Sequence, residues 1–167
     1  LNFNKIKVTA TNTEKVPNTS ASAASATTDL NGGAVLNAID KIKSNINTFV
    51  KRKYNINTDF PEYKNELVKY KNRTFKFTDL IMDAYLNRVS LSSTGFYSTP
   101  KIYFDKNNFK GNPFFYFAYG AAVSEVIIDT LTGENKILRV DILHDFGKSI
   151  NEGIDMGQIE GGFIQGM

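Results

Sequence analysis

Cysteine is absent from the 167 residues, so disulfides, cysteine-bound zinc and cysteine nucleophiles are excluded within this chain. His144 is the one histidine, which also excludes a His-rich metal site. No apolar run approaches the ~20 residues that a membrane span requires, and no signal-peptide pattern is visible; no membrane partner and a cytoplasmic setting are the expectations. Strong charge of one sign is missing too. The formal net charge is +3, with the positive residues concentrated between Lys41 and Lys76 rather than along one face. Nucleic-acid binding usually shows a stronger basic stripe, so no nucleic acid is expected and the lysines read as a solvated helix surface.

What remains is the composition of an ordinary globular protein, 41% apolar and 22% charged, in a length that reads as one domain able to bury a core. Residue 1 is Leu, and the last residues, Gly161-Gly162-Phe163-Ile164-Gln165-Gly166-Met167, stop inside an apolar pattern without a cap. Both ends read as cuts, and the chain is expected to be a fragment.

The pattern predicts an α+β fold, helices packed on a mostly antiparallel sheet. Residues 3–11 alternate apolar and polar, as a half-buried strand does. After a small-residue loop, taken as about 16–33, the positions Leu36, Ile39, Ile42, Ile46 and Val50 recur at helical spacing and predict a helix over about 34–51. A polar, basic stretch at 52–77 follows, with a short helix expected after Pro61. Thr78 offers the N-cap of another helix with apolar Leu80, Ile81, Ala84, Tyr85 and Val89. Residues 90–103 read as strand plus loop. A hairpin is predicted over 114–146, turning at Leu131-Thr132-Gly133-Glu134-Asn135. Ser149 and Glu152 have capping-box spacing, which predicts a glycine-rich helix over 151–167.

Two features invite a functional reading. Residues 19–28, Thr-Ser-Ala-Ser-Ala-Ala-Ser-Ala-Thr-Thr, are either a flexible linker or an anion site. In the second case small side chains admit a ligand to the backbone, Ser25 and Thr27 add hydroxyls, and a helix N-terminus supplies free N–H groups and a positive dipole end. A strand before and a helix after favour the site, since linkers seldom interrupt a small domain. In the last helix, Gly153, Gly157 and Gly161 fall four apart on one face. Each glycine costs ~1 kcal/mol against Ala in a helix, which implies close approach of another backbone or of a cofactor. Gln158 and Gln165 project from the same helix, and an amide both donates and accepts. His144, Asp141, Asp145 and Asp155 form no convincing metal-ligand spacing, and Glu125 and Asp129 read as hairpin-surface charges. No nucleophile–base pair or phosphate-loop fingerprint is present.

The sequence Val16-Pro17-Asn18-Thr19-Ser20-Ala21-Ser22-Ala23-Ala24-Ser25-Ala26-Thr27-Thr28-Asp29-Leu30-Asn31-Gly32 resembles the cofactor loop of the xanthine dehydrogenases, a family of molybdenum hydroxylases. Val89-Ser90-Leu91-Ser92-Ser93-Thr94-Gly95-Phe96-Tyr97-Ser98-Thr99-Pro100 is similar to a second stretch of these enzymes. A third match runs from Pro113-Phe114-Phe115-Tyr116 through Asp129-Thr130-Leu131-Thr132-Gly133-Glu134 and Leu138-Arg139-Val140-Asp141 to Gln165-Gly166-Met167. The stretches lie in one order along nearly the whole chain. The Phe96-Tyr97-Ser98-Thr99-Pro100-Lys101 and Ala121-Ala122-Val123-Ser124 wording looks most like the bacterial enzymes, whose molybdenum-binding part is a separate subunit.

The resemblance implies part of a molybdopterin-binding domain in an enzyme that hydroxylates hypoxanthine and xanthine to urate with water as the oxygen source. Its electrons would pass through Fe–S clusters and FAD, carried on another domain or subunit, to NAD; a dimer of heterodimers is the implied assembly. The protein holds and tunes the cofactor. On that reading Ala24, Ser25, Ala26 and Thr27 present N–H and hydroxyl groups to the pterin or its phosphate, and Gln165 matches a glutamine that hydrogen-bonds the pterin. Val123 stands where animal relatives carry a cysteine beside the cofactor, leaving backbone or apolar contact there. Molybdenum would be held through the pterin, with no direct protein ligand. No catalytic residue falls in this chain: the family's general base, a glutamate, is expected beyond Met167, and the substrate-positioning Arg and Glu before Leu1. The chain departs from the family at Asn151-Glu152-Gly153, where Asn-Pro-Ala is common, and residues 56–78 resemble nothing in it. An aldehyde oxidase of the same superfamily, a non-catalytic phosphate- or nucleotide-binding module, and an inactive gene remnant are the rival readings.

Overall fold

A computed structural model describes residues 1–10, 12–14, 27–57 and 61–167. The chain divides into two compact units, Leu1–Thr99 and Pro100–Met167, where length alone suggests one domain. All strand pairs are antiparallel, and helices accompany them in both units, the α+β class expected.

In the first unit a 28-residue helix, α1 (Thr27–Tyr54), leads into a three-stranded meander of β1 (Glu62–Lys64), β2 (Leu67–Tyr70) and β3 (Arg73–Lys76), then helix α2 (Phe77–Leu86). The core is small. Ile46, Phe49 and Val50 of α1 meet Val68 and Tyr70 of β2 and Leu80 and Ala84 of α2, each at most 3% exposed. Spacings of three and four on the helices and of two on β2 deliver these side chains to one place. Aromatic rings thicken the packing: Tyr54 lies 4.9 Å from Phe75, and Phe75 meets Tyr70 edge-on at 6.0 Å. The Arg73 guanidinium covers Tyr54 at 4.7 Å.

The first unit corrects several expectations. Where a strand is expected over 3–11, the described residues 3–10 form none; a 3-10 turn, Phe3–Lys5, stands there with its side chains exposed, and Thr11 lies outside the described residues. The expected helix after Pro61 is the β1–β2–β3 meander instead. Its hairpins turn at Asn65-Glu66, both with positive φ (50° and 61°), and at Lys71-Asn72, Lys71 having φ 33°. Hairpin turns of this kind normally advertise themselves with glycine, and neither pair contains one. Helix α1 starts at Thr27, taking in residues 27–33 that read as loop, and runs on to Tyr54. Lys76, not Thr78, occupies the N-cap of α2 and makes no side-chain capping bond; the Thr78 hydroxyl donates to Asp79 instead, at 3.3 Å. No strand forms over 90–102.

The second unit holds two hairpins and a helix: β4 (Tyr103–Asp105) with β5 (Lys110–Asn112), β6 (Gly120–Ile128) with β7 (Asn135–His144), and α3 (Glu152–Gly166). The long hairpin is narrower than the 114–146 expected, because 114–119 lie outside the ladder. Its turn is closed by Asp129, whose carboxylate accepts from the amides of Leu131 and Thr132 at 2.8 and 3.2 Å, with Gly133 at φ +78°. A bulge between Glu125 and Val126 shifts the register by one residue, Glu125 facing Arg139 and Val126 facing Ile137. None of its strands or α3 contains a buried residue.

Candidate functional site

Each residue that the sequence marks for cofactor contact has a definite status. Ala24, Ser25 and Ala26 lie outside the described residues. Thr27 is the first residue of α1 and is exposed. The described part of α1 opens at Thr27, and the N-terminal end of a helix carries the positive end of its dipole. Val123 sits in the middle of β6, facing Asp141 of β7 across the ladder, and is 69% exposed. Gln165 occupies the last turn of α3 and is exposed. Thr27 belongs to the first unit, and Val123 and Gln165 to the second.

The departure at Asn151-Glu152-Gly153 does not move the helix start. Asn151 caps α3 directly, its side-chain oxygen accepting from the Ile154 amide at 3.2 Å. The capping-box pairing of Ser149 with Glu152 is replaced, because the Ser149 hydroxyl donates to the Asp155 carboxylate. The glycine face of α3 is open: nothing lies within 4 Å of the place a Cβ would take at Gly157, Gly161, Gly162 or Gly166. Tight packing against β6 and β7 therefore does not account for these glycines. The room left along the helix, beside an exposed amide at Gln165, suits a polar heterocycle lying close to the backbone. Likewise an exposed Thr27 hydroxyl at a helix start suits a phosphate. Taken each within its own unit, these residues offer donors of the kind a phosphorylated pterin takes.

Further polar clusters lie elsewhere. Asp83 of α2 accepts from Lys53, from the Tyr54 hydroxyl and, at 3.1 Å, from the Asn87 amide. The Lys53 and Tyr54 hydrogen bonds hold its carboxyl below the usual range, and the same bond pushes the Tyr54 phenol up. Burial raises the phenols of Tyr63 and Tyr70. Their hydroxyls stand near enough to influence each other's ionisation, yet neither makes a hydrogen bond of normal geometry among the described residues. Turn carboxylates Asp105 and Asp129 are lowered, the first chiefly by the Asn108 amide and the second by the Leu131 backbone N–H. His144 stacks on Phe146 at 6.4 Å and leans against Gly120, where a Cβ would come within 2.7 Å of its Nδ1.

One arrangement escaped the sequence reading. Segment 89–97 runs back along α1, held by side chains four residues apart. Asn45 donates to the Ser90 carbonyl at 3.1 Å, Lys41 to the Thr94 carbonyl at 3.0 Å, and Asn37 accepts from the Phe96 amide at 3.3 Å. The available signal was the polar spacing 37, 41, 45 on one face of a helix.

Among the described residues, no helix is long and apolar enough to cross a membrane. A family model described as the molybdopterin cofactor-binding domain matches residues 1–167. The chain is 45% identical over 163 residues to xanthine dehydrogenase/oxidase of Mus musculus, covering 98% of this chain and 11% of that protein. It is 44% identical over 165 residues to xanthine dehydrogenase of Oryza sativa subsp. japonica, covering 99% and 11%. With xanthine dehydrogenase of Dictyostelium discoideum the identity is 42% over 163 residues, covering 96% and 11%. The chain thus spans about a tenth of the length of these relatives.

Proposed function

The chain belongs to the molybdopterin cofactor-binding domain family, and from that premise we propose that it forms part of the cofactor wall in a molybdenum-dependent purine hydroxylase of the xanthine dehydrogenase type. The observation that carries the reading is local. A serine- and threonine-rich stretch, placed like the family's cofactor loop, ends at an exposed threonine in the first turn of a long helix. Ala24, Ser25, Ala26 and Thr27 are the residues assigned to the pterin's phosphate side, through backbone N–H and hydroxyl donors. Gln165 is assigned to the heterocycle through its amide, and Val123 to apolar or backbone contact.

When bound, the molybdenum–pterin group supplies the oxidation of a purine carbon, with water as the oxygen source. The residues of this chain bind and orient. A helix N-terminus and hydroxyls neutralise phosphate charge, and a two-way amide fixes the ring's orientation. The proton-accepting glutamate belongs to another part of the polypeptide. Fe–S clusters and FAD on partner domains or subunits carry the electrons to NAD, in a cytoplasmic dimer of heterodimers. Names and coverage of the relatives support this wider reading, since each is a xanthine dehydrogenase many times longer than this chain.

The test is made on the complete gene product. Elemental analysis is expected to find molybdenum, and xanthine to drive NAD reduction; absence of both overturns the proposal. Hypoxanthine is expected to be turned over in preference to an aromatic aldehyde, and the reverse preference identifies an aldehyde oxidase. Paired substitution Ser25→Ala with Thr27→Val is expected to weaken pterin retention by about 10- to 100-fold, the equivalent of losing one or two hydrogen bonds to a charged group. Gln165→Leu is expected to lower retention by a smaller factor. Pterin content after gel filtration reads both.

A further inference from the structure

Helix α1 is held unevenly. Its buried residues, Ile46, Phe49 and Val50, all lie in its second half. Residues 27–41 contain no buried side chain. Fifteen helical residues without one fully buried side chain are marginal in water on propensity alone, and this stretch includes Gly32 and Gly33, poor helix formers. Yet Thr27 stands at its far end.

What accompanies this half is segment 89–97, running antiparallel to the helix. The ladder of Asn45, Lys41 and Asn37 reaches the Ser90 and Thr94 carbonyls and the Phe96 amide. Two glycines bring the surfaces together. A Cβ at Gly95 would lie 1.8 Å from the Ala34 carbonyl oxygen and 2.8 Å from the Ala38 nitrogen, so the segment's backbone rests directly on the helix backbone. A Cβ at Gly33 would lie 2.6 Å from Cγ of Tyr97, whose ring sits on the helix there. From Gly33 to Thr27 is less than two further turns. The side-chain amide and ammonium groups bond to backbone, so these three bonds depend on the path of segment 89–97 rather than on its side chains.

We propose that Asn37, Lys41 and Asn45 are positioning residues, which fasten segment 89–97 along the unburied half of α1 and so fix the direction of the helix start that carries Thr27. This rests on the reading of Thr27 and its neighbours as pterin contacts. The ladder acts through the helix and touches no reacting atom.

The test uses the full-length protein with a broken ladder, Asn37→Leu with Lys41→Met, beside a conservative one, Asn37→Asp with Lys41→Arg. The conservative pair keeps an acceptor for Phe96 and a cationic donor for Thr94. Two readouts separate the proposal from the reading beneath it. Amide hydrogen exchange over residues 28–36 is expected to accelerate at least tenfold in the broken pair, with residues 46–50 unchanged and the conservative pair like the parent. Release of the bound pterin, followed by its fluorescence, is expected to quicken by about the same factor, again rescued by the conservative pair. Unaltered exchange over 28–36 in the broken pair overturns the proposal. Faster exchange with unaltered pterin release also overturns it, since the helix start would then not govern the site. A parent protein that holds no pterin sinks the underlying reading instead, and exchange alone then decides whether the ladder orders the helix. Should the double variant fail to fold, Asn37→Leu alone carries the same comparison.

Discussion

Asp83 gathers a lysine, a tyrosine hydroxyl and an asparagine amide around one carboxylate that is 24% exposed. Its folded-state pKa is lowered, so its contribution is present above the ordinary carboxylate value near 4 and is lost as pH falls through the lower folded value. Asp83→Asn is expected to cost about 1 kcal/mol at neutral pH, scaled down for solvent screening, and to flatten the acid limb of a pH–stability curve measured by urea unfolding. The tyrosines act at the other end. Tyr54, Tyr63 and Tyr70 all have raised folded pKa values, so their contribution holds below about pH 10 and is lost as the unfolded chain's phenols ionise above it. Tyr70→Phe removes a buried hydroxyl without a normal hydrogen bond. The variant is expected to equal or exceed the parent in stability, because no bond is lost and a desolvated polar group is deleted. Leu80→Ala, at a site 1% exposed in the centre of the core, is expected to lower stability by about 2–5 kcal/mol. Urea midpoints check both.

At the scale of elements, legibility followed local periodicity. Helix α2, the β6–β7 hairpin and α3 were readable because apolar spacing and a Gly-containing turn marked them, although the caps expected at Thr78 and Ser149 proved to be Lys76 and Asn151. The β1–β2–β3 meander was not, since Asn65-Glu66 and Lys71-Asn72 force positive φ on residues that do not announce it. Val68 and Tyr70 then find their burial only against α1 and α2, a tertiary effect invisible in a short window. The alternation at residues 3–11 had the reverse fate: over 3–10 it looked like a strand, but among the described residues no strand pairs with it. Helix α1 extended before its expected start because Gly32 and Gly33, read as loop, are tolerated inside it. Glu66 at φ 61° is expected to prefer replacement by glycine; Glu66→Gly should match or raise the melting temperature, the relief of a left-handed side chain offsetting the entropy of a freer unfolded chain. Loss of the Lys5 ion pair at 2.6 Å subtracts little, being exposed on both sides.

For the whole molecule the contrast between the units matters most. The first has a core, and the second has none: Val126, Ile127 and Ile128 of β6 and Leu138 and Leu143 of β7 are all more than half exposed. Exposed apolar area of this extent is uncommon on a free soluble surface. Expressed by itself, the 167-residue chain is therefore expected to bind a hydrophobic dye strongly and to aggregate; dye fluorescence against a well-packed globular protein at equal molar concentration checks this. The candidate cofactor residues were legible as types, small hydroxyls and an amide. That they serve one ligand is implied by the family resemblance alone, because Thr27 and Gln165 stand far apart in sequence and in different units.

The seat of Gly95 on Ala34 has a consequence for evolution and engineering alike. Segment 89–97 offers one position without a side chain, flanked by Thr94 and Phe96. Shifted by a single residue either way, it would drive a Cβ into the helix carbonyl. Slippage therefore cannot absorb a deletion in the short link from α2, and length changes there must be made elsewhere or in whole compensating pairs.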